Sequence, residues 1–168
     1  WSQVWTEFIE KQIGGVLNES SFAHNLQDVL VPKGNLFLGN SLCVRLVDAL
    51  GKLPEGYPVY TNRGASGIDG LIATFAGIAK ASEHTTVGVI GDISALHDLN
   101  SIALLSQINQ PTLLFVINNS CGAIFDMLPV DSKAKSQFYR LSHNLEFGQI
   151  ATMFGIEYIR PFTWADLK

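Results

Sequence analysis

The sequence predicts a doubly wound α/β domain, a parallel sheet flanked by helices, and three observations point there. Short apolar runs alternate with longer stretches of helical periodicity, the pattern of βα units. Three of the runs are apolar almost without interruption, as strands covered on both faces must be. Compact polar clusters follow directly after four of the runs, where open parallel sheets bind their ligands.

The elements follow in order. Segment 1–17 spaces Val4, Trp5, Phe8, Ile9 and Ile13 along one face of a helix. A polar stretch through Ser20 and Ser21 leads to a short helical piece that ends near Pro32-Lys33-Gly34. Strands are expected at 35–39 (NLFLG), 58–61 (PVYT), 86–91 (TVGVIG), 112–117 (TLLFVI) and 156–159 (IEYI). Between them the spacing predicts helices at 42–50, 66–81, 95–108 and 146–154, the last closed by Gly155 as a C-cap. The expected division is a leading helical segment, 1–33, and one domain, 34–168. No internal repeat or low-complexity tract interrupts it. There is no initiator Met, and residues 1–10 lack the apolar core of a signal peptide, so a piece of a longer protein is expected.

Composition excludes several classes. A chain of 168 residues suits one domain with a sizeable core. Charged residues are 15%, against roughly 25% in ordinary soluble domains, and hydrophobic ones 47%. That excludes disorder. The purest apolar run, 113–117, falls far short of a membrane span. A net charge of −4 without a basic block argues against nucleic acid as a partner. Cys43 and Cys121 form no CxxC pair or disulfide framework, so a reducing cytoplasm is the expected setting.

The polar clusters are Asn40-Ser41, Asn62-Arg63, Asp92 with Ser94, and Asn118-Asn119-Ser120. Taken singly, each reads as turn residues and helix caps. Four together, in a chain poor in polar residues, converge on one site. Asp92 and the Asn118-Asn119 pair, with 24 residues (94–117) after Ile93, supply one carboxylate and carboxamide oxygens. With a backbone carbonyl they make an all-oxygen partial shell that suits Mg²⁺ completed by phosphate and water, not zinc. Helix N-termini at the same edge would offer N–H groups to a diphosphate.

Gly91-Asp92 and Asn118-Asn119 at this spacing resemble the fingerprint of the thiamine-diphosphate enzymes. The resemblance implies thiamine diphosphate and Mg²⁺ or Mn²⁺ as cofactors. It implies Asp92, Asn119 and the backbone carbonyl of Cys121 as metal ligands. Gly91, Ile93, Ser94, Gly122, Ala123 and Ile124 would flank the cofactor. Two departures stand out: Ile93 takes the place of a usual third Gly, and Cys121 sits where Gly is common. A Cβ at 121 narrows the backbone torsions open to it.

Three longer stretches, 39–45 (GNSLCVR), 60–70 (YTNRGASGIDG) and 91–100 (GDISALHDLN), resemble the menaquinone-pathway branch of that family. The similarity runs from about Gly34 to Pro161. Members of the branch decarboxylate 2-oxoglutarate and add the succinyl unit to isochorismate. The resemblance implies Arg45, Arg63 and Ser41 as binders of the substrate carboxylates, for which Arg forks are suited. Ile68 would support the bent cofactor, and Phe125 and Leu128 would line the substrate pocket. From the residues alone, Ile68 begins a helix and reads as core, as do Phe125 and Leu128. Gly64, Gly67 and Gly70, three apart, suggest a surface of close backbone approach.

In this family the activating Glu comes from a separate pyrimidine-binding domain of a second subunit. A homodimer or homotetramer is therefore implied, and the isolated chain is expected to be inactive. The low charge content then has a cause: a domain built to be covered. His97 reads as structural or at the pocket rim, and His24, His84 and His143 show no ligand spacing. No GxSxG elbow and no dinucleotide loop is present. Two alternatives stay open at this point, another thiamine-dependent 2-oxoacid decarboxylase or carboligase, and a non-catalytic module for a phosphorylated ligand.

Overall fold

The computed structural model describes residues 2–13 and 15–167. Among these lie four strands, β1 (Asn35–Leu38), β2 (Val59–Thr61), β3 (Thr86–Gly91) and β4 (Thr112–Ile117). They pair in the order β2-β1-β3-β4, all parallel. The helices are α1 (Ser2–Ile13), α2 (Glu19–His24), α3 (Leu42–Leu50), α4 (Leu71–Ala81), α5 (Asp92–His97), a single turn α6 (Ser132–Ala134) and α7 (Gly148–Met153). No helix among the described residues is long and apolar enough to cross a membrane.

The two-residue period of the strands sends alternate side chains to opposite faces. Leu36, Leu38, Val87 and Val89 pack with Phe22 and Leu26 and with Cys43 and Val47 of α3. Phe37 and Ile90 pack on the other face with Leu71, Ile72 and Phe75 of α4 and with Ala95 of α5. Each fully buried Leu, Ile or Phe of these layers contributes roughly 1.5–3 kcal/mol of transfer free energy. The doubly wound class is therefore present, with β1 and β3 covered on both faces; β2 is exposed and β4 only half-buried, so the two-face burial expected of the 112–117 run is not met.

Strand order fixes where a ligand would sit. From β1 the chain runs outward to β2, then crosses back to β3 on the other side of β1. The direction reverses between β1 and β3, which opens a crevice beyond their carboxyl ends. Gly39 lets the two strands close there: a Cβ on it would stand 2.9 Å from the Ile90 Cγ2 and 3.1 Å from the Val89 carbonyl.

Four expectations need correction. Segment 156–159 is not a strand. The Ile156 N–H bonds the Ala151 carbonyl, the Tyr158 ring lies against Gly148 of α7, and Pro161 removes a donor just beyond. Apart from that ring contact the segment is largely exposed, with Ile159 68% exposed, and β4 is left as a sheet edge. The helix expected from 66 begins only at Leu71, because Ser66 (φ 57°) and Gly70 (φ 66°) are left-handed and no right-handed helix runs through them. Ile68 consequently lies in the loop and starts no helix.

The helix expected over 95–108 instead starts at Asp92, stops at His97, and continues as a 3₁₀ segment, Leu99–Gln107. Asp98 breaks it. One carboxylate oxygen accepts the Ser101 hydroxyl (2.6 Å) and the other the Ala73 N–H (3.0 Å). Asp98 thus caps α4, whose own N-cap, Gly70, has no side chain to do so. On α1, Ile9 is buried and Ile13 half-buried, but Val4 and Phe8 are exposed, so only part of the expected stripe is covered. The Trp5 side chain lies outside what is described.

The surface carries the mark of the low charge content. The chain exposes 10210 Å², where a compact monomer of 18.3 kDa exposes about 8,100 Å². Large apolar side chains such as Met127, Phe138, Leu141 and Phe162 stand more than half exposed.

Candidate functional site

Two of the strand-end clusters share one edge. Gly91 pairs with Ile117, so Asp92 and the Asn118-Asn119 pair leave adjacent parallel strands at the same edge. Asp92 is only 2% exposed. Its Oδ1 accepts the N–H of Ile93 (2.7 Å), and its Oδ2 lies 3.2 Å from the Nε2 of His143. The Leu145 N–H donates to the Nδ1 of that ring (3.2 Å), which leaves the proton of a neutral imidazole on Nε2, pointed at the carboxylate. His143 is a neighbour of Asp92 that its sequence spacing gave no reason to single out.

The segment after β4 is strapped over this edge. Asn118 Oδ1 accepts the Ser120 N–H (3.0 Å) and its Nδ2 donates to the Leu145 carbonyl (3.1 Å). The His143 N–H returns to the Ser120 carbonyl (2.9 Å). Asn119 Oδ1 accepts the Cys121 N–H (3.0 Å), while its Nδ2 donates to Glu19 of α2. Cys121 is buried, and its Sγ accepts from Nη2 of Arg140 (3.1 Å). The thiol and Asp126 both favour the charged guanidinium and hold its pKa above the usual value. Arg140 Nε is buried with no partner.

The two departures from the family pattern cost the backbone little. Left-handed torsion falls on Ser120 (φ 60°) and not on Cys121. Ile93 lies within regular α5, where no glycine is required. Three of the described non-glycine residues at positive φ, Ser41, Ser66 and Ser120, follow β1, β2 and β4. Such strain gathers at sites over-determined by their surroundings.

A second knot lies on the β1 side. Asn40, 1% exposed, donates its Nδ2 to the Asn62 carbonyl (3.0 Å) and the Gly67 carbonyl (2.6 Å). Its Oδ1 accepts from Arg63 Nη1 (2.9 Å). Asn62 in turn donates to the Thr74 hydroxyl (2.9 Å). Arg45 does not join this cluster: it is exposed on α3, and its Nη1 bonds the Ser41 carbonyl one turn back (2.6 Å).

No neighbouring strand closes on the glycines at 64 and 70, which leaves a ligand as the other candidate for the expected close approach. A Cβ on Gly64 would meet open space, and Gly70 is needed for its torsion. Gly67 alone is crowded, by the Asp69 carboxylate 2.6 Å away. Gly122, Ala123, Ile124 and Phe125 lie half-buried after Cys121. The Phe125 ring stacks obliquely on Tyr139 at 5.8 Å, and Leu128 is exposed. Ser94 is buried on α5, and His97 is exposed at its end. His24 is structural, its Nδ1 bonding the Leu50 carbonyl at the end of α3 (2.8 Å).

The donor chemistry fits a hard cation. Among the described residues no three His, Cys, Asp or Glu side chains gather as a metal group. What the edge offers is one buried carboxylate beside carboxamide and carbonyl oxygens, the preference of Mg²⁺. The Cys43 thiol, below this edge, is pushed up to about 12, chiefly by burial, then by Glu19, with Asp92 adding to it. A raised thiol pKa means a neutral, unreactive group at neutral pH. Native protein treated with iodoacetamide at pH 8 should therefore leave Cys43 unmodified by peptide mass spectrometry, whereas denatured protein is alkylated there.

A doubly wound sheet with a buried carboxylate at its switch point and paired asparagines on the next strand defines a diphosphate- and metal-binding domain. The chain belongs to the family described as thiamine pyrophosphate enzyme, C-terminal TPP binding domain, whose model matches residues 52–168. Thiamine diphosphate with a divalent metal ion is the cofactor of that family. The chain is 77% identical over 167 residues to the 2-succinyl-5-enolpyruvyl-6-hydroxy-3-cyclohexene-1-carboxylate synthase of Haemophilus ducreyi. It is 75% identical to the synthase of that name from Actinobacillus pleuropneumoniae serotype 5b and 63% to that from Haemophilus influenzae. Each match covers 99% of this chain but 29% of the relative's length.

Proposed function

We propose that the native protein carrying this sequence is a 2-succinyl-5-enolpyruvyl-6-hydroxy-3-cyclohexene-1-carboxylate synthase. It removes CO₂ from 2-oxoglutarate and joins the succinyl unit to isochorismate, in the cytoplasm. Residues 34–168 form the half that holds the diphosphate and metal, and 1–33 lead into it. The observation that carries this reading is buried Asp92 at the β1/β3 switch point beside Asn118-Asn119, within a chain so similar to synthases of that name.

When bound, thiamine diphosphate supplies an electron sink for the pair released as CO₂ leaves. This chain's residues do the holding. Asp92, Asn119 and the Cys121 carbonyl would hold the Mg²⁺ or Mn²⁺ that anchors the diphosphate. Residues 91–94 and 122–124 flank it, and Ile68 supports the cofactor from the loop before α4. Arg63, pinned by Asn40, presents a fixed cation to a substrate carboxylate, with Ser41 beside it. Arg45 serves a carboxylate after swinging off the Ser41 carbonyl. Phe125 and Leu128 line the substrate pocket.

The exposed apolar side chains and excess surface support a covered domain: the pyrimidine-binding domain of a second subunit closes the site, in a homodimer or homotetramer. Calorimetric titration of the native polypeptide with thiamine diphosphate is expected to show binding only with Mg²⁺ present. The 168-residue chain alone, mixed with both substrates, cofactor and Mg²⁺, should turn nothing over. Substantial product from it would refute a site shared with a second domain, and metal-independent binding would refute the anchoring role.

A further inference from the structure

The carboxamide of Asn119 has a fixed orientation, and the residue that fixes it comes from the far end of the chain. Asn119 Nδ2 donates to Oε1 of Glu19, 100 residues earlier in sequence, and Oδ1 accepts the Cys121 N–H. A carboxylate only accepts and a peptide N–H only donates. Turning the amide over would set acceptor against acceptor and donor against donor. Both contacts therefore force one face, in which Oδ1 retains a second lone pair.

Glu19 is itself held. It opens α2, whose N-cap Asn18 forms a reciprocal capping box with Ser21: Asn18 Oδ1 accepts the Ser21 N–H, and Ser21 Oγ accepts the Asn18 N–H, both at 2.9 Å. Glu19 is half-buried and fronts a cleft shared with Asn119, Ile9 and Ile13, so it is placed to act on the strand edge.

We propose that Glu19 is a positioning residue for the metal site: it orients Asn119 so that the carboxamide oxygen, not the NH₂, faces the cation. The inference rests on the site reading above, in which Asn119 is a metal ligand. Partners that orient metal ligands through hydrogen bonds typically govern affinity by 10–100-fold. Glu19 acts through Asn119 and need not touch the metal.

The test is Mn²⁺ affinity in the presence of thiamine diphosphate, read by electron paramagnetic resonance of free Mn²⁺ on the native polypeptide. Glu19→Leu is expected to weaken Mn²⁺ about tenfold, whereas Glu19→Gln, which keeps an acceptor oxygen, stays close to wild type. In an Asn119→Asp background there is no amide to orient, and two carboxylates face one another. There Glu19→Leu should leave affinity unchanged or raise it. An equal loss in both backgrounds would overturn the orienting role, as would Glu19→Gln falling as far as Glu19→Leu. Wild-type protein that binds no Mn²⁺ sinks the site reading and this inference with it. Wild-type binding with an unaffected Glu19→Leu sinks this inference alone.

Discussion

Asp92→Ala is expected to abolish metal-dependent binding of thiamine diphosphate, weakening it by about a hundredfold or more, since a ligand matters at least as much as the groups that orient it. Asp92 is the one carboxylate of the expected metal shell and is almost wholly buried. Buried carboxylates are costly unless compensated. Here one oxygen has a peptide N–H and the other an imidazole, so no full cation is committed to it when the imidazole is neutral. A divalent ion would be the compensating charge.

The stability effect should be small by comparison. Losing the two contacts costs about 1–2 kcal/mol each, and removing the buried charge offsets part of it. Asp92→Asn is the sharper variant, because it keeps the shape and the Ile93 N–H bond while deleting the charge. Calorimetry with and without Mg²⁺, beside a thermal melt, separates the two effects. Near-normal affinity in either variant, with an unchanged melt, would remove Asp92 from the metal shell.

The strands were legible because their signal is local. The continuous apolar run Thr86–Gly91 is a central strand with both faces buried, while the equally apolar Thr112–Ile117 forms a half-buried edge strand. Asp92 was legible for the same reason, as a polar residue at the end of such a run. What escaped was set by contacts distant in sequence. His143 reaches Asp92 across 51 residues, and Glu19 reaches Asn119 across 100. No spacing rule links either pair. Asp98 shows the intermediate case: it sits inside a helical pattern, but its carboxylate is drawn to the open N–H of Ala73 and the helix breaks. Segment 156–159 had strand composition and an open edge at β4, yet its Ile156 N–H and Tyr158 ring engage α7 instead.

The second large effect is expected at Asn40. Its carboxamide closes three contacts at once, to the Asn62 and Gly67 carbonyls and from Arg63. Asn40→Ala orphans two carbonyls in a region where Asn40 itself is almost fully buried. A fully buried group left unpaired costs about 1–3 kcal/mol, and because both of these contacts are only part-buried the loss should total roughly 2–4 kcal/mol. For a chain of this size that is a fall in melting temperature of about 4–16 °C. The loop between β2 and α4 should loosen, seen as faster amide exchange over residues 64–70. Asn40→Asp separates the two roles of this side chain. Its carboxylate keeps, and strengthens, the contact with Arg63, but it faces both carbonyls without a donor. Asn40→Asp should therefore be as unstable as Asn40→Ala or more so, while Arg63 stays tethered. If Asn40→Ala melts within a degree or two of wild type, the pin between β1 and the Arg63 loop is not what holds that guanidinium at the site.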